Sequence, residues 1–167
     1  MKSVSIVRVV CVAGALFGSA PAARGDASWA TSSGSCYGED NLTVSFGTSL
    51  FPGVGGFVAV DYGFHDAISG GGSMAFMLLD ADDFRVPLMA RAAFHPFNLS
   101  VLAEHIPVRE FIDVYAGLAA GYGFGGPPPL PVREYIGARF FWTDSFFGVI
   151  EEAGGLGYFN AGVGFSF

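Results

Sequence analysis

The last ten residues of the chain, 158–167, read YFNAGVGFSF. One face of this stretch is wholly apolar, and the other carries mostly small or polar side chains. The apolar positions are Phe159, Ala161, Val163, Phe165 and Phe167, and the opposite ones are Tyr158, Asn160, Gly162, Gly164 and Ser166. A period of two residues is typical of a β-strand that separates an apolar phase from a polar one. The stretch therefore predicts a terminal strand with one apolar face.

The same alternation recurs upstream as far as residue 41. It predicts strands at 42–50, 58–65, 73–80, 85–95, 112–124, 136–142, 146–152 and 158–167. Glycines 70–72 are expected to turn the chain between the second and third strands, and prolines 127–129 to lie in a loop, because proline lacks the ladder donor. Residues 96–110 carry two prolines and no clean period, so we interpret them as a connection with a helical turn near residues 101–105.

Composition indicates what surrounds these strands. Only 14% of the residues are charged and 51% are hydrophobic, which is too few charges to cover a soluble domain. After the first 27 residues no uninterrupted apolar run reaches the roughly 18 to 20 residues of a membrane helix. The sequence thus predicts an all-β fold, an eight-stranded antiparallel up-and-down transmembrane β-barrel. The opposite faces are mostly Gly, Ala, Ser and Thr, which suits a narrow lumen better than the surface of a soluble lipocalin.

Aromatic residues near the predicted strand ends suggest two girdles at the membrane surfaces. Phe51, Phe57, Phe124 and Tyr135 would form one girdle, and Phe94, Phe111 and Trp142 the other.

The N-terminal residues predict export. Lys2 and Arg8 precede an apolar run at 9–18 and then small residues, so 1–27 is interpreted as a signal peptide, 28–40 as an N-terminal segment and 41–167 as the barrel. Cleavage after Ala22, Ala23 or Ala27 would fit equally well. The remaining chain would contain no lysine, which excludes the basic surface that nucleic acids require. It would also contain a single cysteine, Cys36, and no internal disulfide.

Among the ionisable residues on inward faces of the predicted strands, five are candidates for a polar network. They are Asp61, His65, Arg91, Asp113 and Arg139. Opposite charges in a narrow lumen are expected to pair across it. We favour packing of the lumen over a solute pathway or catalysis as the role of this polar network.

Enzymatic activity is not expected from the sequence. A lipid-modifying barrel enzyme would need a histidine, a serine and an acid converging near one rim. His65, His95 and His105 are available, but none lies in a recognisable catalytic motif, and the nearness of Ser100 to His95 is too common to count. No catalytic residue, metal site or cofactor is therefore predicted.

Three stretches resemble small outer-membrane barrel proteins of the OmpA-like and OmpW-like group. They are DVYAGLAAGY at 113–122, YIGARFFWTD at 135–144, and the terminal strand. The resemblance implies a location in the outer membrane among its lipids. It also implies that Phe159, Phe165 and Phe167 form the signal read by the barrel assembly machinery. The connection at 96–110 departs from the pattern, because this group usually has a short periplasmic turn there.

Three functions remain open from the sequence. The first is an integral outer-membrane protein that is structural or forms a narrow OmpW-like pathway for small, including apolar, solutes. The second is a surface interaction protein or adhesin, which the short predicted outer loops disfavour. The third is a lipid-modifying enzyme.

Overall fold

The structure is a computed structural model and describes residues 34–50, 53–80, 83–125, 132–153 and 157–167. The predictions of a signal peptide at 1–27, of the segment 28–33, of Phe51 in a girdle and of a loop at prolines 127–129 lie outside these residues. Among the described residues, no helix is long and apolar enough to cross a membrane.

Eight antiparallel strands form one closed barrel, which confirms the predicted all-β, eight-stranded fold. The strands are β1 (Leu42–Leu50), β2 (Val54–His65), β3 (Ile68–Asp80), β4 (Asp83–Phe94), β5 (Ile112–Phe124), β6 (Arg133–Thr143), β7 (Phe146–Ala153) and β8 (Gly157–Ser166). Each strand pairs with its neighbours in sequence. We call the end where β1 begins and β8 ends the terminus end, and the opposite end the distal end.

Pairing of β1 with β8 closes the barrel. The Phe167 N–H donates to the Leu42 carbonyl at 2.9 Å, and the Leu42 N–H donates to the Phe167 carbonyl at 3.2 Å. Further along, Phe46 lies opposite Val163, and its ring stacks near that of Phe165 with centroids 6.5 Å apart. The terminal strand therefore leaves no open edge on either side.

The outer face is apolar around the whole circumference. In β8, Phe159 is 40% exposed whereas its neighbour Asn160 is fully buried in the lumen. Every strand contributes large exposed apolar side chains. Examples are Leu42 and Phe46 (β1), Val60 and Phe64 (β2), Ile68 and Phe76 (β3), Leu88 and Phe94 (β4), Leu118 and Tyr122 (β5), Ile136 and Phe140 (β6), Ile150 (β7), and Phe159 and Phe165 (β8).

Glycines 70–72 do not form the turn that the sequence predicts. They lie inside β3, and the tight turn falls at Asp66 and Ala67 instead. Gly71 pairs with Asp61 on one side and with Arg91 on the other, and a Cβ at Gly71 would lie 2.8 Å from an Asp61 carboxylate oxygen. The glycine is therefore needed for close approach within the sheet.

The girdle prediction is wrong for two residues. Phe57 and Tyr135 are buried in the lumen, because they lie on inward positions of β2 and β6. Phe124, Phe94 and Trp142 are exposed on the outside, as the girdle interpretation requires.

The connection between β4 and β5 crosses the terminus end. It consists of a 3-10 turn (Pro96–Asn98), a single helical turn that we call α1 (Ser100–Ala103), and a second 3-10 turn (Pro107–Glu110). Both 3-10 turns begin with proline, which suits a first position because its missing N–H would be unpaired there in any case.

Candidate functional site

The most distinctive part of the molecule is a buried polar core in the lumen. Arg139 on β6 joins two carboxylates: its Nη2 lies 2.6 Å from Asp61 Oδ2, and its Nη1 lies 3.2 Å from Asp113 Oδ2. All three side chains are almost completely buried. They come from β2, β5 and β6, so the core ties non-adjacent strands together across the lumen.

Arg91 on β4 makes the second bridge. Its Nη1 and Nη2 donate to the two carboxylate oxygens of Glu151 at 3.2 and 2.6 Å. Its Nε lies 3.0 Å from Asp61 Oδ1, although neither atom makes a hydrogen bond there, so this contact is an ion pair alone. The bidentate geometry with Glu151 is the strong form of an arginine–carboxylate interaction.

Aromatic rings surround both guanidinium groups. Arg91 Cζ lies 4.2 Å from the centroid of the Tyr135 ring, and Arg139 Cζ lies 4.6 Å from that of Tyr115. The Tyr115 hydroxyl also donates to Glu151 at 3.0 Å. Cation–π contacts of this kind are strongest where water is excluded.

Glycines make room for these tyrosines. Tyr115 on β5 pairs with Gly137 on β6, and Gly117 pairs with Tyr135, so each strand supplies one ring and one gap. A Cβ at Gly137 would clash with the Tyr115 ring, and one at Gly117 would clash with the Tyr135 ring. The two glycines therefore fix where the rings lie over the arginines.

A second part of the core is a chain of three hydrogen-bonded side chains near the terminus end. His95, which follows β4, has its Nδ1 2.7 Å from Asp113 Oδ1 and its Nε2 2.9 Å from Ser69 Oγ. All three side chains are buried. We call this set the Ser–His–Asp relay.

The structure brings together four of the five ionisable residues predicted for the lumen: Asp61, Arg91, Asp113 and Arg139. The fifth, His65, lies half-buried at the end of β2, where its Nδ1 accepts a hydrogen bond from the Ala67 N–H at 3.3 Å.

Sequence reasoning missed Glu151, Ser69 and the role of His95. Glu151 was missed because no apolar face could be assigned to the seventh strand. Ser69 was missed because the turn was expected at glycines 70–72. The alternation in β4 places His95 on the inward face, and this position could have identified His95 as a member of the core.

Residues 34–40, which we call the cover segment, close the terminus end above the relay. Tyr37 is 1% exposed, and its ring stacks on His95 with centroids 4.3 Å apart and planes 18° apart. Asn98 Nδ2 donates to the Tyr37 carbonyl at 2.8 Å, and the Cys36 N–H donates to the Arg109 carbonyl at 3.0 Å.

Apolar side chains fill much of the remaining lumen. They include Phe57, Ala59, Ala75, Met77, Met89, Phe141, Phe147 and Val149. Cys36 packs against this cluster, and burial, followed by the charge of Asp113, raises the pKa of its thiol to about 12.

A groove of about 430 Å³ opens beside the cover segment, between Cys36, Phe111 and Trp142. Within the described ranges, His, Cys, Asp and Glu side chains form no group of three or more that could hold a metal ion.

No protein-family model matches the chain, and no curated protein sequence matches it. Two chains of solved structures do. One belongs to the crystal structure of the outer membrane protein OprG from Pseudomonas aeruginosa, which is similar over 78% of this chain and 97% of that chain, with 10% sequence identity and a TM-score of 0.49.

Proposed function

We propose that the chain is an integral outer-membrane barrel protein whose lumen is closed to ions by the buried polar core, and that its primary role is structural. The observation that carries this proposal is the combination of an apolar outer face on all eight strands with a buried, fully side-chain-filled ionic core. The first feature suits lipid on the outside, and the second places paired, buried charges across the inside.

The distribution of charge on the outer face supports a location in lipid. Among the described strand residues, charged side chains that are exposed on this face are Asp80, Glu134 and Glu152. All three lie near the distal end of their strands. Between these residues and the terminus end the face is apolar or weakly polar, as a membrane requires, because an arginine or lysine at the bilayer midplane costs about 2 to 4 kcal/mol and a carboxylate somewhat less.

The height of the barrel also suits a bilayer. The ten residues of β8 rise about 3.3 Å each and, at the usual tilt of roughly 40°, span about 25 Å along the barrel axis. That is about the height of the apolar band of outer-membrane barrels. Closure by β1–β8 pairing removes the unpaired backbone groups that lipid could not satisfy.

Membrane fractionation tests the location. Full-length protein expressed with its own N-terminal residues should be recovered in the outer-membrane fraction, resist extraction with alkaline carbonate, and require detergent for release. Recovery in the soluble periplasmic fraction without detergent would contradict the proposal.

Planar-bilayer recording tests the closed lumen. The refolded barrel should show no conductance steps, because Arg91, Arg139 and their carboxylates block the lumen. A matched variant, Arg139→Ala with Tyr115→Ala, removes two of the largest blocking side chains and should give small steps. Steps of equal size in both proteins would refute the closed lumen.

A narrow route for small apolar solutes is the second candidate. The buried side chains Phe57, Met77 and Met89 give part of the lumen an apolar lining, which would suit such cargo better than ions. Uptake of an apolar fluorophore into vesicles that contain the barrel, compared with empty vesicles, would distinguish a route from a purely structural role.

The terminal strand is proposed as the signal for the barrel assembly machinery. Phe167 is 75% exposed and Phe159 and Phe165 lie on the outer face, so their rings are accessible to a partner in the unassembled chain as well as to lipid afterwards. Deleting Phe167 should lower the yield of assembled barrel in cells more than it lowers refolding from urea into detergent.

A further inference from the structure

We propose that the Ser–His–Asp relay is an acyl-transfer site at the terminus end of the lumen, with Ser69 as nucleophile, and that the cover segment shields it. This goes beyond a structural role in the membrane, and neither proposal requires the other.

The relay has the order of groups that activates a serine. An ionised Asp113 can accept a hydrogen bond but cannot donate one, and its Oδ1 lies 2.7 Å from His95 Nδ1. A neutral imidazole therefore carries its proton on Nδ1. His95 Nε2 is then left as an acceptor 2.9 Å from Ser69 Oγ. Nucleophile, base and orienting acid thus stand in hydrogen-bond contact, which is the arrangement that defines a serine nucleophile on unrelated folds.

Each member of the relay is held from a different element. Ser69 comes from β3, His95 from the end of β4, and Asp113 from the start of β5. The His95 N–H donates to the Ala67 carbonyl at 2.9 Å, and the second oxygen of Asp113 is bound by Arg139 at 3.2 Å. His95 is therefore held both through its backbone N–H and through its ring.

The cover segment explains why the relay is closed in this structure. The ring of Tyr37 lies flat on His95, and the relay side chains are buried beneath it. The Arg139 guanidinium also lies near this ring, with its Cζ 4.9 Å from the ring centroid. Removal of the ring would leave a space bordered by the base His95 and by a guanidinium that can stabilise an oxyanion.

An unpaired polar atom favours release of the cover segment. Asn98 Oδ1, at the interface with this segment, is buried and has no hydrogen-bond partner. Unpaired buried groups destabilise the closed arrangement, so this segment has the character of a locally opening unit.

The substrate class that fits is an uncharged ester of a small acyl group, since the space vacated by Tyr37 is about that of a phenol ring. Ser69 Oγ would form a bond to the carbonyl carbon while its proton passes to His95 Nε2. The ester C–O bond then breaks and the leaving alkoxide takes that proton. Water, deprotonated by the same nitrogen, cleaves the acyl-serine to a carboxylic acid and restores Ser69.

A fluorophosphonate probe tests the nucleophile on the full-length barrel refolded in detergent. The probe forms a bond between Ser69 Oγ and phosphorus and releases fluoride. We expect Tyr37→Ala to label at least tenfold faster than the natural chain, and Tyr37→Ala with Ser69→Ala not to label. Asn98→Ala, which removes the hydrogen bonds from Asn98 to the Tyr37 and Asp66 carbonyls without altering the ring, should also label faster. Hydrolysis of p-nitrophenyl butyrate should follow the same order.

Alkylation of Cys36 provides an independent measure of cover release, and heat-modifiable migration on gels shows that each variant has folded. Faster alkylation of Cys36 in folded Tyr37→Ala and Asn98→Ala, without labelling of Ser69, would refute the nucleophile. Equal labelling of the natural chain and Tyr37→Ala would refute the cover. Unchanged alkylation of Cys36 in both variants, again without labelling, would refute the proposal as a whole. The location in the membrane and the conductance are unaffected by any of these outcomes.

Discussion

Replacement of Arg91 by methionine should destabilise the barrel strongly, because it removes a buried cation from between two carboxylates. Glu151 loses both of its hydrogen bonds from the guanidinium, at 2.6 and 3.2 Å, and keeps only the one from Tyr115. Asp61 keeps Arg139 at 2.6 Å. One carboxylate is therefore left without a cation in a buried site, which costs roughly 3 to 5 kcal/mol of unfolding free energy.

The assay is urea unfolding of the barrel refolded in lipid vesicles, followed by far-ultraviolet circular dichroism. With a slope near 2 kcal/mol per molar, the loss corresponds to a midpoint lower by roughly 2 M. The control is Arg85→Met, which breaks a half-exposed pair with Asp83 at 2.9 Å and should cost no more than about 1 kcal/mol.

A double variant makes the reasoning refutable by sign. Adding Glu151→Gln to Arg91→Met removes the stranded charge but leaves an acceptor for Tyr115, so the double variant should be more stable than Arg91→Met alone. If the second substitution instead lowers stability further, or if Arg91→Met costs no more than Arg85→Met, the stranded charge of Glu151 is not the cause of the loss of stability.

Three further predictions concern different parts of the barrel. Gly137→Val should destabilise the barrel by roughly 1 to 3 kcal/mol in the same urea assay, because the valine side chain would displace the Tyr115 ring. The control is Gly123→Ala, where a Cβ meets nothing within 4 Å; it should change stability by at most about 1 kcal/mol. Val60→Arg, on the outer face at the middle of β2, should lower the unfolding free energy in lipid vesicles by about 2 to 4 kcal/mol. Val132→Arg, at the distal end, should lower it by about 0 to 1 kcal/mol. Equal losses would contradict burial of the outer face in lipid. Because the pKa of the Cys36 thiol is raised to about 12, its alkylation by iodoacetamide should rise about tenfold per pH unit from pH 7 to 11, and a plateau near pH 9 would show an unshifted thiol.

The fold could be predicted from the sequence because alternation is a local property. In β8, each side chain lies either towards the outside or towards the lumen, and Phe159, Asn160 and Phe165 lie where the period of two puts them. The same holds for Arg139 in β6 and Asp113 in β5, whose inward positions needed no knowledge of their partners. An apolar exterior around a small-residue interior then left a closed barrel as the arrangement without exposed backbone edges.

Local pattern failed where both faces of a strand have similar composition. Glycines 70–72 suggested a turn, since glycine is common in turns, but in β3 Gly71 leaves room for the Asp61 carboxylate between β2 and β4. Glu151 lies in a strand whose faces the sequence could not distinguish. In both places the deciding contact is with a strand that is distant in sequence.

The sequence by itself determined the strands, the outward-facing side of most of them and four members of the buried core. Only the tertiary structure decided which charges meet, that His95 joins Ser69 to Asp113, and that Tyr37 lies over them. The physical reason is that the direction of a side chain follows from the pleat of its own strand, whereas its partner across the lumen depends on the register of every strand pair between them and on how the closed sheet coils.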